Sequence, residues 1–118
     1  MTKLYVAGPM TGLPDHNFPA FNKAADQLRA AGYEVFNPAD RGVLDGWVWA
    51  DYLRDDLGLL LKCDGVALLT GWRDSKGANL EHHVAQALGM PREHVQSWLT
   101  AAPRILRFGS RKDGHVRT

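Results

Sequence analysis

The sequence has little cysteine, no long apolar run and almost no net charge, and each scarcity excludes a class of protein. Cys63 is the single cysteine among 118 residues, which excludes an intramolecular disulfide and a cysteine-based zinc site and suits a reducing cytoplasm. No apolar run approaches the ~20 residues that span a bilayer. Lys and Arg number 14 against 13 Asp and Glu, so no field of one sign attracts nucleic acid or a membrane surface. We therefore expect a cytoplasmic protein that holds any ligand by local contacts.

What is present is an alternation of short apolar runs with longer segments of helical spacing. With 45% hydrophobic residues, the chain has material for one core. Strands that alternate with helices over short links favour a parallel sheet covered by helices on both faces, which is an α/β architecture. The predicted strands cover residues 4–7, 33–36 and 65–70, and the predicted helices cover about residues 17–31, 47–62 and 75–88.

The pattern weakens after Pro91. Arg92–Ala101 is compatible with a short helix, and Arg104–Phe108 with a last strand or a partner-binding arm. The segment from Gly109 is polar and is predicted to be a disordered tail. The sequence thus predicts one domain over residues 1–108 and a tail over residues 109–118.

Glu81 is a carboxylate on the apolar side of the third predicted helix. At about 100° per residue, it falls in the middle of the arc formed by the Ala, Val and Leu residues of that helix. A buried, unpaired carboxylate is costly and is tolerated when it is paired, protonated or lines a cleft. Two interpretations stay open: Glu81 is a catalytic carboxylate, or it binds a core arginine or a backbone amide.

Asp56 repeats this anomaly in the second predicted helix. It lies with the apolar side of that helix, whereas its neighbour Asp55 lies on the polar side. Two acids on the apolar faces of consecutive helices suggest one shared site with Glu81. A purely structural role for Asp56 is the alternative.

Two loops are candidates for anion binding. Gly8–Gly12 follows the first strand, and Ser75–Gly77 opens the third helix. Loops at the carboxyl ends of parallel strands converge on the usual ligand crevice, and a helix start favours a phosphate or a sugar hydroxyl. Alternatively, Ser75 is only a helix cap and the glycines are only turns, because neither loop matches a P-loop or a dinucleotide motif.

Four segments together resemble the nucleoside 2-deoxyribosyltransferase-like superfamily. They are the segments Tyr5–Pro9, Asp56–Leu57, Cys63–Asp64 and Ser75–Glu81. The match covers roughly residues 3 to 90 and is strongest to small members common in phages and bacteria. The spacing of the serine, glycine and glutamate in the last segment also resembles the deoxynucleoside 5′-monophosphate N-glycosidases. The resemblance implies a Rossmann-like (flavodoxin-like) three-layer αβα fold with a parallel sheet of four or five strands.

The resemblance also implies a reaction and its residues. Glu81 matches the glutamate that attacks C1′ of the deoxyribose, and a carboxylate suits this role because it can form a covalent ester. Asp56 would bind the sugar hydroxyl or assist proton transfer to the leaving base, and Tyr5 would orient Glu81 or contact the sugar. No cofactor and no metal are implied. The substrate-binding residues implied are Gly8, Pro9, Met10, Asp74, Ser75, Gly77 and Asn79.

One departure concerns the residues after the nucleophile. Family enzymes often have Glu-x-Gly there, and this chain has Glu81-His82-His83, which places a bulky side chain where helix and sheet pack. These three residues do not suggest a metal site, because adjacent helical side chains diverge. The superfamily often completes its active site with a neighbouring subunit, so a homodimer or larger homo-oligomer is expected.

The leading hypothesis is an enzyme that cleaves the N-glycosidic bond of a 2′-deoxynucleoside or its 5′-monophosphate, by hydrolysis or by transfer between bases. The first alternative is a catalytically silent nucleotide-binding or sensor protein. The second is an N-glycosidase that acts on another ribosyl nucleotide such as NAD.

Overall fold

A computed structural model describes residues 1–109, with side chains through Ala102. The four strands form a parallel sheet in the order β2-β1-β3-β4, flanked by helices, which confirms the predicted flavodoxin-like α/β fold. No helix in this range has the length and apolarity needed to span a membrane. The strands are β1 Lys3–Ala7, β2 Glu34–Phe36, β3 Gly65–Leu68 and β4 Arg92–His94. The long helices are α1 Phe18–Ala30, α2 Trp49–Leu60, α3 Lys76–Ala87 and α4 Val95–Gly109.

Strand β1 is an interior strand whose side chains enter both core layers. Tyr5 is opposite Phe36 of β2 and Val66 of β3, so β1 is hydrogen-bonded on both edges. Because side chains alternate along a strand, Leu4 and Val6 pack with α1 and α4, and Tyr5 packs with α2 and α3. This alternation places the tyrosine on the face of the sheet that carries both candidate acids.

The carboxyl-terminal part differs from the sequence-based expectation. Arg92–His94 is strand β4, paired in parallel with β3, so a helix from Arg92 to Ala101 was wrong in its first three residues. Arg104–Phe108 continues α4, so the predicted strand or arm there was wrong. The apolar side chains of α4, at helical spacing from Val95 to Ala102, pack on the α1 layer, and extending a docked helix costs little. Residues 110–118 of the predicted tail lie outside the described residues.

Trp98 of α4 joins the last helix to the sheet. Its indole Nε1 donates to the carbonyl of Val66 at 2.8 Å, and the hydroxyl of Tyr33 donates to the Trp98 carbonyl at 2.7 Å. The same indole lies against Gly65, where an added Cβ would lie 2.9 Å from Trp98 Cζ2. Glycine at position 65 is therefore a packing requirement.

We expect Gly65→Ala to destabilise the protein by about 1–3 kcal/mol, because the extra methyl overpacks a rigid indole. The matched control is Gly58→Ala in α2, where an added Cβ meets nothing within 4 Å. That change should stabilise the protein by up to about 1 kcal/mol through helix propensity. Urea unfolding of both variants measures the difference. Equal stabilities would show that Trp98 moves freely away from the strand.

Candidate functional site

Glu81 lies on the buried face of α3. The helix begins at Ser75, whose Oγ accepts a hydrogen bond from the Ala78 amide at 3.1 Å. Ala78, Glu81 and Ala85, at spacings of three and four, face the sheet, and Leu80 is exposed. The side chain of Glu81 is therefore held in the core, with only 5% of the residue accessible to solvent.

Tyr5 is the direct partner of this buried carboxyl group. Its hydroxyl donates to Glu81 Oε2 at 2.6 Å, and Tyr5 itself is completely buried. A hydrogen bond of this length partly compensates the cost of burying an acid. The pairing joins the middle of β1 to α3 and fixes the orientation of the carboxyl group.

Asp56 projects from α2 towards the same tyrosine. Its side chain is 13% exposed, against 44% for Asp55, as their positions on the helix predict. Arg41 Nη1 donates to Asp56 Oδ1 and to Asp55 Oδ2, both at 2.7 Å. The charge of Asp56 raises the pKa of both Tyr5 and Glu81, so the two acids and the tyrosine form one electrostatic unit.

The two acids have different environments. Burial, reinforced by the Asp56 charge, raises the pKa of Glu81 to about 8, against the opposing effects of the Tyr5 hydrogen bond and Arg41. Burial also raises the pKa of Asp56, and its hydrogen bond and ion pair with Arg41 oppose that shift. Burial raises the pKa of Tyr5 well above its usual range. Glu81 is thus mainly protonated at neutral pH, whereas Asp56 has Arg41 as a compensating cation. Two neighbouring carboxyl groups whose environments differ in this way are typical of acid and base roles.

The loop after β1 approaches the loop after β3 at the carboxyl ends of these two neighbouring strands. An added Cβ on Gly8 would lie 2.7 Å from Leu69 Cβ, and one on Gly71 would lie 3.5 Å from Pro9 Cγ. Met10, by contrast, packs against the core layer on the α1 side. The predicted binding residues Gly8 and Pro9 therefore lie where the loops meet, and the Met10 side chain faces the opposite layer.

Four of the predicted binding residues lie at the N-terminus of α3, and two of them form hydrogen bonds that hold its first turn. Asn79 Nδ2 donates to the carbonyls of Arg73 at 2.8 Å and Ser75 at 2.7 Å. Ser75 caps the helix as an acceptor, which leaves its hydroxyl hydrogen free to donate. Asp74 is exposed, and Gly77 lies beside the Trp49 indole, with an added Cβ 3.9 Å from Nε1. A ligand-binding role for these residues stays a prediction.

His82 and His83 do not join Glu81. The His82 ring stacks on Trp72 with centroids 4.5 Å apart, and burial lowers its pKa, while His83 is exposed. Among residues 1–109, no three His, Cys, Asp or Glu side chains are grouped as metal ligands would be.

The sequence interpretation missed Arg41. It ends a single helical turn, Pro38–Arg41, that follows β2, and its side chain is 13% exposed. Because β2 is the neighbour of β1, the turn after it lies beside the site. The available signal was the rule that loops after adjacent parallel strands converge, but it requires the strand order.

A groove of about 420 Å³ lies on the outer face of α2. Trp47, Arg54, Asp55 and Lys62 contribute to its wall. Neither Glu81 nor Tyr5 lines it. The candidate site is consequently assigned from the buried carboxyl groups and their contacts.

Comparisons with a protein family and with a solved structure agree with this fold. Residues 2–92 match the family described as Domain of unknown function (DUF4406), and the chain belongs to that family. A solved structure of a 2-deoxyribosyltransferase from the psychrotolerant bacterium Bacillus psychrosaccharolyticus superposes with a TM-score of 0.63 and 23% sequence identity, covering 77% of this chain and 69% of that one. No curated protein matches the chain. The resemblance to the deoxyribosyltransferase-like superfamily is therefore confirmed as a shared fold.

Proposed function

We propose that this protein cleaves the N-glycosidic bond of a 2′-deoxynucleoside or its 5′-monophosphate, with Glu81 as the nucleophile. The observation that carries the proposal is the buried hydrogen bond of 2.6 Å from Tyr5 to Glu81, with the Asp56 carboxylate acting on both groups. The solved structure described as a 2-deoxyribosyltransferase has a similar fold. Together these features support deoxyribosyl chemistry at this site.

In the proposed reaction, ionised Glu81 attacks C1′ with the oxygen that Tyr5 does not hold. The C1′–Oε bond forms while the bond from C1′ to the base nitrogen breaks, and the electron pair leaves with the base. Asp56, ionised beside Arg41, binds the sugar hydroxyl or orients a water molecule that gives a proton to the departing base. Water or a second base then attacks C1′ and releases Glu81, so hydrolysis and transfer share the first step.

Ser75 and the first turn of α3 support a phosphorylated substrate. The helix N-terminus favours an anion, and the Ser75 hydroxyl hydrogen is available to donate to a phosphate oxygen.

We also propose a homo-oligomer. It is supported by apolar side chains exposed on and before α2 and on α3, which are Val43, Val48, Trp49, Leu80 and Leu88.

The test is to incubate the purified protein with the four deoxynucleosides, their 5′-monophosphates, the matching ribonucleotides and NAD, and to measure free base by chromatography. Adding a second free base separates transfer from hydrolysis. Base release from deoxy substrates alone supports the proposal. Release of nicotinamide from NAD would assign the same carboxylates to a different ribosyl substrate.

A silent nucleotide-binding protein is the second candidate, and one observation favours it. With a pKa of about 8, Glu81 is mostly protonated and non-nucleophilic at neutral pH. Saturable binding of a nucleotide without base release at pH 7 and at pH 9 would establish this alternative. Release that appears at pH 9 would support the enzyme.

We expect kcat/KM to rise with pH through the pKa of Glu81, because only the ionised carboxylate attacks C1′. Tyr5→Phe removes a hydrogen bond that lowers this pKa, so the rise should move up by about one to two pH units, since such a bond is worth roughly 1.5–3 kcal/mol. The measurement is the pH profile of both proteins from pH 6 to 10.

The control for this change is Tyr33→Phe. It removes a buried hydroxyl that donates to the Trp98 carbonyl in the layer on the α1 side of the sheet. That variant should keep the wild-type profile. A rate that falls with pH through the Glu81 pKa would contradict the nucleophile assignment and make Glu81 a general acid.

A further inference from the structure

The main chain at Arg41 is fixed before its side chain reaches the site. Buried Asn37 caps the turn, because its Oδ1 accepts from the Ala39 amide at 3.0 Å. Its Nδ2 donates to Asn22 Oδ1 of α1 at 2.9 Å. The turn that carries Arg41 is thus anchored to a helix on the far side of the sheet.

The guanidinium group is held by aromatic rings as well as by acids. It lies 5.0 Å from the ring centroid of Tyr52 and 5.7 Å from that of Trp47. The Tyr52 hydroxyl in turn accepts from the Leu44 amide at 2.8 Å, which fixes the loop between the arginine and α2. These contacts leave the guanidinium little freedom to turn away from Asp56.

The hydrogen bonds of Arg41 are poorly suited to stability alone. One nitrogen, Nη1, serves both carboxylates, and Nε is buried without a hydrogen-bond partner in the described part of the chain. A buried ion pair pays for its desolvation only with good geometry, and an unsatisfied buried donor is a further cost. An arrangement that sacrifices stability beside the partly buried Asp56 and the buried Glu81 points to a functional role.

The electrostatic neighbourhood shows what that role acts on. Asp56 is faced by Arg41 from the turn after β2, by Asp55 from its own helix, by Tyr5 from β1 and by Glu81 from α3. Arg41 opposes the burial effect on both acids, lowering the pKa of Asp56 and of Glu81. Without it, the described site would hold one buried and one partly buried acid and no compensating cation.

We propose that Arg41 is a positioning residue that keeps Asp56 ionised and oriented towards Tyr5 and Glu81. This inference rests on the proposed glycosidic cleavage and deepens it, because it names the group that lets two neighbouring carboxylates be charged together. Arg41 acts through Asp56 and through its charge, and no direct contact with the substrate is required.

The test compares Arg41→Gln with Arg54→Gln, which removes an equal charge from the exposed face of α2. The first readout is the pH profile of kcat/KM. The second does not depend on turnover: ¹³C NMR titration of the aspartate and glutamate side chains, which follows the protonation of Asp56 and Glu81 directly. Asp56→Asn and Glu81→Gln assign the two resonances of interest.

For Arg41→Gln we expect the Asp56 carboxyl group to titrate about one pH unit or more higher, because Arg41 supplies both its hydrogen bond and its opposite charge. We also expect kcat/KM at pH 7 to fall by about tenfold or more, because Asp56 is then neither held nor charged as in wild type. Arg54→Gln should match wild type in both readouts. An unchanged Asp56 titration in folded Arg41→Gln would overturn the proposal.

Arg41→Lys covers the case in which Arg41→Gln does not fold. Lysine keeps the charge and loses the planar group, so the Asp56 titration should stay within about half a pH unit while kcat falls at unchanged KM. Wild-type kcat in this variant would overturn the proposal. If wild type releases no base from any substrate, the proposed function fails, and the NMR titration still decides whether Arg41 controls the acids.

Discussion

Replacing Glu81 by Gln is expected to lower kcat for base release by about 10³-fold or more, the loss typical of removing a catalytic nucleophile. Glutamine has nearly the same shape and can still accept the hydrogen bond that the Tyr5 hydroxyl makes to Oε2. It lacks an anionic oxygen to form the ester with C1′. The measurement is kcat for the best substrate above pH 8, where wild-type Glu81 is mainly ionised.

Glu93→Gln is the matched control for this change. Glu93 is exposed on β4, so the variant removes a carboxylate of the same length without touching the site. It should keep wild-type kcat. If Glu81→Gln kept its activity while Asp56→Asn lost it, the nucleophile would be Asp56, and Glu81 would be a structural group.

Glu81→Gln is also expected to stabilise the protein at alkaline pH. Burial raises the pKa of the folded carboxyl group from the ordinary 4.5 to about 8. Below pH 4.5 both folded and unfolded states hold this proton, and between 4.5 and 8 only the folded state does. The contribution of Glu81 to the free energy of unfolding therefore declines across that window and stays at its lowest value above it.

The size of this effect follows from the shift. At 1.36 kcal/mol per pH unit, wild type should be about 3–5 kcal/mol less stable than Glu81→Gln at pH 9, and nearly equal to it at pH 4. Urea unfolding at pH 4, 7 and 9 measures the difference, with Glu93→Gln as control. Parallel stability profiles would mean that Glu81 remains ionised or solvated in the folded protein.

Glu81→Gln is thus expected to lose activity and to gain stability at alkaline pH. This combination distinguishes a functional acid from a structural one. A carboxylate present only to bridge core elements stabilises the fold when it is ionised, so its removal costs stability at neutral and alkaline pH. A carboxylate kept for chemistry is a source of instability when it is charged. Only the second case predicts a variant that is both inactive and more stable.

The fold could be predicted for the part of the chain in which apolar residues follow a regular spacing. The interior strands are short apolar runs, and α1 to α3 are bounded by Gly and Pro, so the parallel α/β order followed from the sequence. Strand β4 lacked this signal because Arg92–His94 is a polar edge strand that pairs on one side only. The last helix was predicted only in part for the same reason, since the strand before it was not recognised.

The site was predictable where an acid interrupted an apolar face. Glu81 and Asp56 stood out on consecutive helices, and the resemblance added Tyr5. Arg41 was not found, because a basic residue in a polar turn looks like ordinary surface until the strand order places it next to β1. Ser75 was found, and the helix-cap interpretation also predicts the local hydrogen bond that its Oγ accepts from the Ala78 amide.

The two faces of strand β1 place different requirements on its side chains. Leu4 and Val6 need only fill volume in the layer beneath α1, so a library of aliphatic replacements there should yield many folded, active clones. Tyr5, between them, needs a hydroxyl at a fixed height above the sheet. Mutational tolerance should therefore alternate residue by residue along a strand only five residues long.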